Sequence, residues 1–153
     1  MKRIEDFAFD LCTSLSFFEL PDSIEYLGIS SFISSLAPDT LHLPKMLKEF
    51  NASNFASIYR SGFFLHIPEN VEKIIGADNE TYCNTQSGRN PSYMKIDCKI
   101  PPQPLTSSSS GYHLFFSRSS WECVYVPKGT LEAYQSAYYV PGNNNINNFV
   151  EYM

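Results

Sequence analysis

Short runs of alternating apolar and polar residues recur along the chain, and several of them end in a proline. Residues 18–21, 41–44 and 65–68 all follow the order apolar, polar, apolar, proline, and their prolines are 23 and 24 residues apart. Alternation with a period of two is typical of a β-strand that buries one of its faces. The recurrence therefore predicts one short strand in each repeat.

A second set of apolar positions keeps the same spacing. An apolar residue follows each of these prolines after three positions and another after six, as Ile24 and Leu27 follow Pro21. Each repeat thus contains a second extended segment, and because no repeat can enclose its own apolar side chains, at least about three must stack. The predicted fold is a repeat solenoid, poor in helix, in which short parallel β-strands form a coil. Its inward residues are predicted to be Ile4, Phe9, Leu20, Leu27, Phe32, Leu43, Phe50, Phe55, Ile67, Ile74 and Val126.

The repeats are predicted over residues 1–21, 22–44, 45–68 and 69–101, with a C-terminal cap over residues 102–153. The fourth repeat is the longest, because the next matching proline is Pro101, and its polar residues 78–92 are predicted to form an inserted loop. Thr130 can accept a backbone hydrogen bond at the start of a short helix over residues 131–138, which would close the coil. The alternative is an antiparallel sandwich, whose strands would not repeat residue by residue.

Alignment of the strand-like segments places five residues at the same outward position: Glu19, His42, His66, Lys99 and Tyr125. Parallel strands lie about 4.8 Å apart, so these side chains would form a row, and we predict a ligand-binding face there. Glu19, His42 and His66 could hold a divalent metal or a carboxylate-bearing ligand. Three exposed groups on a flat row do not close a coordination shell, so a solvated polar face is favoured and no metal is predicted.

A second row alternates in charge between neighbouring repeats: Lys2, Glu25, Lys48 and Glu72. Because opposite charges at equivalent positions attract, this row is expected to fix the register of the repeats and to have no role in function.

Composition excludes several classes of protein. The net charge is −5 and no basic stripe is present, so nucleic-acid binding is not expected. The longest apolar runs span a few residues, so no membrane span is predicted, and residues 1–6 lack the apolar core of a signal peptide. The four cysteines contain no CxxC spacing, and buried free thiols are favoured over two disulfides. No phosphate-binding glycine loop or hydrolase motif occurs, so neither a catalytic residue nor a cofactor is predicted.

The order of residues in two segments resembles a known family. Residues 4–15 resemble one repeat of the BspA-like leucine-rich-repeat proteins of Bacteroides-type bacteria. The shared order is an apolar residue, then Ala8 with Phe9, then Cys12, and then Leu15. Residues 96–102 and 124–134 are similar to the C-terminal cap of that family. The second and third repeats depart from the pattern, with Ser35 and Ile58 where Cys12 stands. The resemblance implies a right-handed leucine-rich-repeat coil with a capping helix, and a secreted or surface-exposed bacterial adhesion protein.

Three functions remain open at this point. The first is a non-catalytic module that binds a host or bacterial surface protein or glycan. The second is a carbohydrate-binding or polysaccharide-degrading accessory domain, and the third is a structural end-cap of a longer repeat array. The first repeat has nothing ahead of it to cover Ile4, Phe7, Phe9 and Leu15, so a missing upstream segment or a homodimer through this end is also expected.

Overall fold

The computed structural model describes residues 1–15, 19–32, 39–51, 54, 64–75, 93–104, 122–137 and 148–153. Their regular elements are short. In chain order they are β1 (Arg3–Ile4), β2 (Tyr26–Leu27), β3 (Thr40–His42), β4 (Glu49–Asn51), β5 (Phe64–Ile67), β6 (Lys73–Ile75), β7 (Tyr93–Ile96), β8 (Gln103–Pro104), β9 (Cys123–Pro127), α1 (Leu131–Ala137) and β10 (Phe149–Tyr152). The predicted inserted loop and Phe55 lie outside the described residues.

The described strands pair in parallel throughout. One sheet has the order β10-β9-β7-β5-β3, a second has β4-β6-β8, and a third pairs β1 with β2, which lies beside β4. Strands that are neighbours in space are therefore one repeat apart in sequence, and the chain forms a parallel β-coil of about three turns. This arrangement confirms the predicted solenoid and excludes the antiparallel sandwich.

The core fills the space between the sheets. One inward row of the five-stranded sheet consists of side chains that are at most 4% exposed: Leu41, Leu65, Met94, Val124 and Phe149. Most of the predicted inward residues are buried, while Phe9 and Leu20 are half-buried against the core. Ile4, which was predicted to point inward, is buried at 4% exposure, whereas Phe7 is 58% exposed.

The first two turns approach each other closely at Gly28. A Cβ atom at this position would lie 2.3 Å from the backbone nitrogen of Asp6, so only glycine fits. The Asp6 carboxylate accepts a hydrogen bond from the Ile29 N–H at 2.8 Å, and the Phe9 ring stacks on Phe32 with centroids 5.3 Å apart. Phe9 and Phe32, both predicted to point inward, therefore contact each other across the two turns.

Opposite charges join successive turns at exposed positions, which we call the turn pairs. Lys2 bonds Glu25 at 2.7 Å and Lys48 bonds Glu72 at 3.0 Å, as the alternating row predicts. A third turn pair, which the sequence did not predict, joins Asp22 to Lys45 at 2.5 Å. The bond to Lys45 lowers the pKa of the Asp22 carboxyl, and the bond to Glu25 raises the pKa of Lys2.

The carboxyl end of the coil is closed by α1 and β10. The Tyr134 hydroxyl is buried and donates to the carbonyl of Cys98 at 2.7 Å. Thr130 was predicted to accept a backbone bond at the start of the helix, but its hydroxyl donates to the Pro127 carbonyl at 2.6 Å. The Glu151 carboxylate of β10 accepts the N–H groups of Gly129 and Leu131 instead, so the strand after the helix caps the helix.

Buried free thiols were favoured from the sequence: Cys98 is free and buried, whereas Cys12 and Cys123 are free but only half-buried, and Cys83 lies outside the described residues. Cys98 is buried, with its sulfur 3.2 Å from the Pro68 carbonyl oxygen and 3.3 Å from that of Val71. Burial raises the pKa of this thiol to about 12.

Candidate binding site on the strand-lined face

The outward face of the five-stranded sheet carries a row of polar and aromatic side chains. His42 of β3 pairs with His66 of β5, His66 with Lys95 of β7, and Lys95 with Tyr125 of β9. The predicted neighbours His42 and His66 are therefore confirmed, and Tyr125 lies in the same row. Glu19 is exposed and belongs to no strand of the described part, so its predicted place in the row stays untested.

Lys99 was predicted in this row, and that register is wrong. The prediction took Pro101 as the end of the strand, whereas β7 ends at Ile96 and its inward residues Met94 and Ile96 are fully buried. Ile100, which would point inward in the predicted register, is 81% exposed. Lys95 therefore occupies the outward position, and Asp97 stands where the other strands end in proline.

Asp97 is the centre of a cluster that joins three strands. Its carboxylate lies 2.6 Å from His66 Nε2 and 2.9 Å from Lys95 Nζ, and it accepts the Tyr152 hydroxyl at 2.6 Å. We call these four residues the Asp97 cluster. Burial alone would raise the pKa of Asp97, but the hydrogen bonds from Tyr152, Lys95 and His66 outweigh it and lower the pKa to about 2. Burial and the hydrogen bond to Asp97 raise the pKa of Tyr152.

The two histidines are linked to each other as well as to the cluster. His42 Nδ1 lies 3.0 Å from His66 Nδ1, and the two rings meet edge to face with an interplanar angle of 82°. Since His66 Nε2 faces the carboxylate, one proton shared between the two Nδ1 atoms completes a chain from His42 through His66 to Asp97.

A groove of about 570 Å³ opens beside this chain of hydrogen bonds. It is lined by side chains of both signs, with Lys45 and Lys99 against Asp22 and Glu69, and by the ring of Tyr152. Lys99 thus borders the candidate site even though it lies outside the predicted row. A groove with mixed charges and fixed hydrogen-bonding partners suits a polar peptide or glycan more than an apolar ligand.

The outward face also carries an aromatic pair near the row. The rings of Tyr93 and Tyr125 lie 6.4 Å apart with an interplanar angle of 30°, and Lys95 Nζ lies 4.5 Å from the centre of the Tyr152 ring. Within the ranges that the structure describes, no group of three or more His, Cys, Asp or Glu side chains is placed to hold a metal ion. None of the described helices is long and apolar enough to cross a membrane.

A family comparison accounts for this architecture. Residues 1–94, more than half of the chain, match the family described as BspA type leucine rich repeat region (6 copies). The chain belongs to the BspA-type leucine-rich-repeat family. A search of curated proteins found no match. Leucine-rich repeats of this family are generally non-catalytic and suggest a module for protein interaction.

The BspA-type match contains His42 and His66 and ends before the rest of the Asp97 cluster. The sequence alone did not reveal the contact between Asp97 and Tyr152, because the two residues are 55 positions apart and only Asp97 lies in a segment that resembles the family's cap. One signal was available for the strand that carries the cluster. Residues 94–97 repeat the apolar, polar, apolar order of the BspA-type strand and change only its final proline to aspartate.

Proposed function

We propose that the chain is a non-catalytic binding module that takes a surface protein or peptide on the outward face of its five-stranded sheet. The observation that carries this proposal is the Asp97 cluster, whose carboxylate holds His66, Lys95 and Tyr152 in fixed positions beside the groove. Side chains that are already ordered lose less conformational entropy when a partner binds, so such a surface favours recognition. Family membership supports the same function, since solenoids bind along their strand-lined faces.

We further propose that this module acts at the surface of a bacterium or outside the cell, in adhesion to a host or to another bacterium. The proposal rests on the resemblance to BspA-like proteins and on the family match. The row from His42 to Tyr125 presents polar and aromatic groups that make extended contacts with a second surface.

The experiment is an array of host-matrix proteins and glycans probed with the full chain. We expect binding to members of the protein set, and a double variant, His42→Ala with Lys99→Ala, should reduce that binding at least tenfold. Both residues are exposed and line the groove, so the fold should be unaffected. Lys48→Ala with Glu72→Ala is the matched control, because this exposed pair does not line the groove. Equal binding by both double variants would contradict the proposal.

A carbohydrate ligand is the second candidate, and the pair of tyrosines favours it. Stacked rings on an exposed face offer flat apolar surfaces to a sugar ring, and Tyr93 and Tyr125 are both half-buried and outward. In that case the glycan set of the array binds and Tyr93→Ala reduces the signal. A structural end-cap of a longer array, the third interpretation, predicts that this fragment binds neither set.

A further inference from the structure

We propose that His42 and His66 form a binding site for a divalent transition-metal ion of the zinc or copper class, which both rings coordinate through Nδ1. Both histidines also line the groove proposed for partner binding, but binding of an ion requires no second molecule and is tested on the chain alone. The argument begins with the two nitrogen atoms that face each other at 3.0 Å on an exposed surface of the sheet.

The separation of the two Nδ1 atoms fits a bound ion. A metal to imidazole-nitrogen distance of about 2.0–2.1 Å places two ligand nitrogens about 2.9 Å apart at a right angle and about 3.3 Å apart at the tetrahedral angle. The observed 3.0 Å lies within this interval. An ion can therefore take the place of the shared proton at the same separation of the two nitrogens, once both rings turn so that their lone pairs meet at the ion.

Asp97 supplies the partner that a metal-binding histidine usually has on its other nitrogen. Its carboxylate lies 2.6 Å from His66 Nε2, so His66 carries its proton there and directs the Nδ1 lone pair at His42. Tyr152 and Lys95 hold the carboxylate in place at 2.6 and 2.9 Å. Asp97 is thus a positioning residue that does not itself coordinate the ion.

Proton balance is simple when both rings are neutral. His42 moves its proton from Nδ1 to Nε2, no proton is released, and the two lone pairs then coordinate the ion. His42 is exposed, so water can take the remaining coordination positions. Of the cations nearby, Lys95 is paired with Asp97 and Lys45 with Asp22. Lys99 also lines the groove, together with the Asp22 and Glu69 carboxylates. Two imidazoles suit zinc, copper or nickel, whereas calcium and magnesium require oxygen ligands.

The test uses the full chain, treated with a chelator, dialysed and titrated with Zn²⁺ at pH 7.5. Calorimetry should show binding of one ion, and long-range proton–nitrogen spectra of ¹⁵N-labelled histidines should show both Nδ1 resonances moving together. Before the addition of metal, one ring should carry its proton on Nδ1. After the addition, both rings should carry it on Nε2.

Variants separate this site from adventitious binding by thiols. His42→Ala should abolish the one-ion isotherm while leaving the circular dichroism spectrum unchanged, because the side chain is exposed. Asp97→Asn should weaken the affinity roughly 10–100-fold, as is usual for the outer partner of a histidine ligand. Cys12→Ser with Cys123→Ser, the control for the half-buried thiols, should bind like the parent chain. Unchanged Nδ1 resonances at one equivalent of Zn²⁺, or full affinity in His42→Ala, would overturn the proposal.

Discussion

Charged side chains connect neighbouring turns in two regions of this molecule, and they do so differently. In each turn pair one cation meets one carboxylate, and every side chain involved is at least 46% exposed. In the Asp97 cluster one carboxylate, 27% exposed, contacts His66, Lys95 and Tyr152 from three strands. Water screens the turn pairs strongly and the cluster much less.

The difference shows that similar contacts have different consequences at different depths. An exposed pair contributes little free energy, but four or more such residues in alternating order disfavour a slipped register. A half-buried carboxylate with three donors contributes more, and it also fixes the orientation of the side chains around it. The turn pairs thus maintain the coil, and the cluster prepares a site.

A substitution that forces the first two turns apart should have the largest effect on the stability of the fold. Gly28→Ala places a Cβ atom 2.3 Å from the Asp6 nitrogen and 2.4 Å from the Glu5 carbonyl carbon, both of which are backbone atoms that cannot rotate away. We expect a loss of about 3 kcal/mol in the free energy of unfolding, measured by urea denaturation. Gly129→Ala is the control, since its φ of 80° is unfavourable for alanine but nothing lies within 4 Å, and it should cost only about 1–2 kcal/mol. Equal losses in the two variants would contradict the steric role of Gly28.

Removal of the Asp97 charge should have the second-largest effect on the stability of the fold. Asp97→Asn should lower the free energy of unfolding at pH 7 by about 2 kcal/mol, because the folded-state pKa of about 2 lies below the ordinary value of 3.8. A carboxyl with a lowered pKa stabilises the fold above its unfolded pKa, and this contribution disappears as the pH falls through the folded pKa. The difference between parent and variant should therefore shrink from about pH 5 to pH 2. Asp22→Asn, in an exposed turn pair, should show a much smaller difference, and a constant difference across this range would exclude the charge as its cause.

Backbone strain in the turns predicts a smaller effect of opposite sign. Phe7 has a φ of 56° and is 58% exposed, and this left-handed conformation is unfavourable for a bulky residue. Phe7→Asn should raise the midpoint of thermal unfolding, corresponding to roughly 0.5–1 kcal/mol, since asparagine tolerates this conformation. Phe9→Asn should instead destabilise the protein, because Phe9 stacks on Phe32. A destabilised Phe7→Asn variant would mean that the exposed ring makes contacts that outweigh its strain.

The turn pairs themselves should have the smallest effect. A double-mutant cycle on Lys48 and Glu72, whose charged atoms lie 3.0 Å apart, should give a coupling energy of about 0.2–1 kcal/mol at low salt. The coupling should disappear near 1 M salt, where the screening length is about 3 Å. A coupling energy that persists at 1 M salt would mean that this pair is as strong as the contacts of the Asp97 cluster.

Local patterns could predict the coil, but not every contact across it. The alternation in residues 41–44 and 65–68 led directly to β3 and β5, because a strand with one buried face must alternate. The same rule placed Lys99 incorrectly, because the alignment used Pro101 as the end of the strand. Residues 93–96 form the strand that pairs in register, and no proline directly follows it. Asp97 occupies the position at which the other strands have a proline, and its N–H donates to the Ile67 carbonyl at 2.9 Å.

Contacts between distant repeats were beyond the reach of the sequence. The spacing of the repeats predicted that His42 and His66 would be neighbours. The hydrogen bond between Tyr152 and Asp97 depends instead on the path of the 55 residues between them, which no spacing predicts. The role of Glu151 at the start of α1 is similar, since the cap lies 20 residues after Leu131 and on a different element. Repeat periodicity determines which turns are neighbours, and only the assembled coil determines which side chains meet.

The buried thiol of Cys98 has a practical consequence. Because burial raises the pKa of Cys98 to about 12 and covers its sulfur, we expect this thiol to resist alkylating and oxidising reagents while the turn around it stays closed. Modification of this cysteine therefore requires the turn to open. The rate at which a thiol reagent labels Cys98 in native buffer measures the opening free energy of that turn, so the chain contains its own kinetic probe of local unfolding.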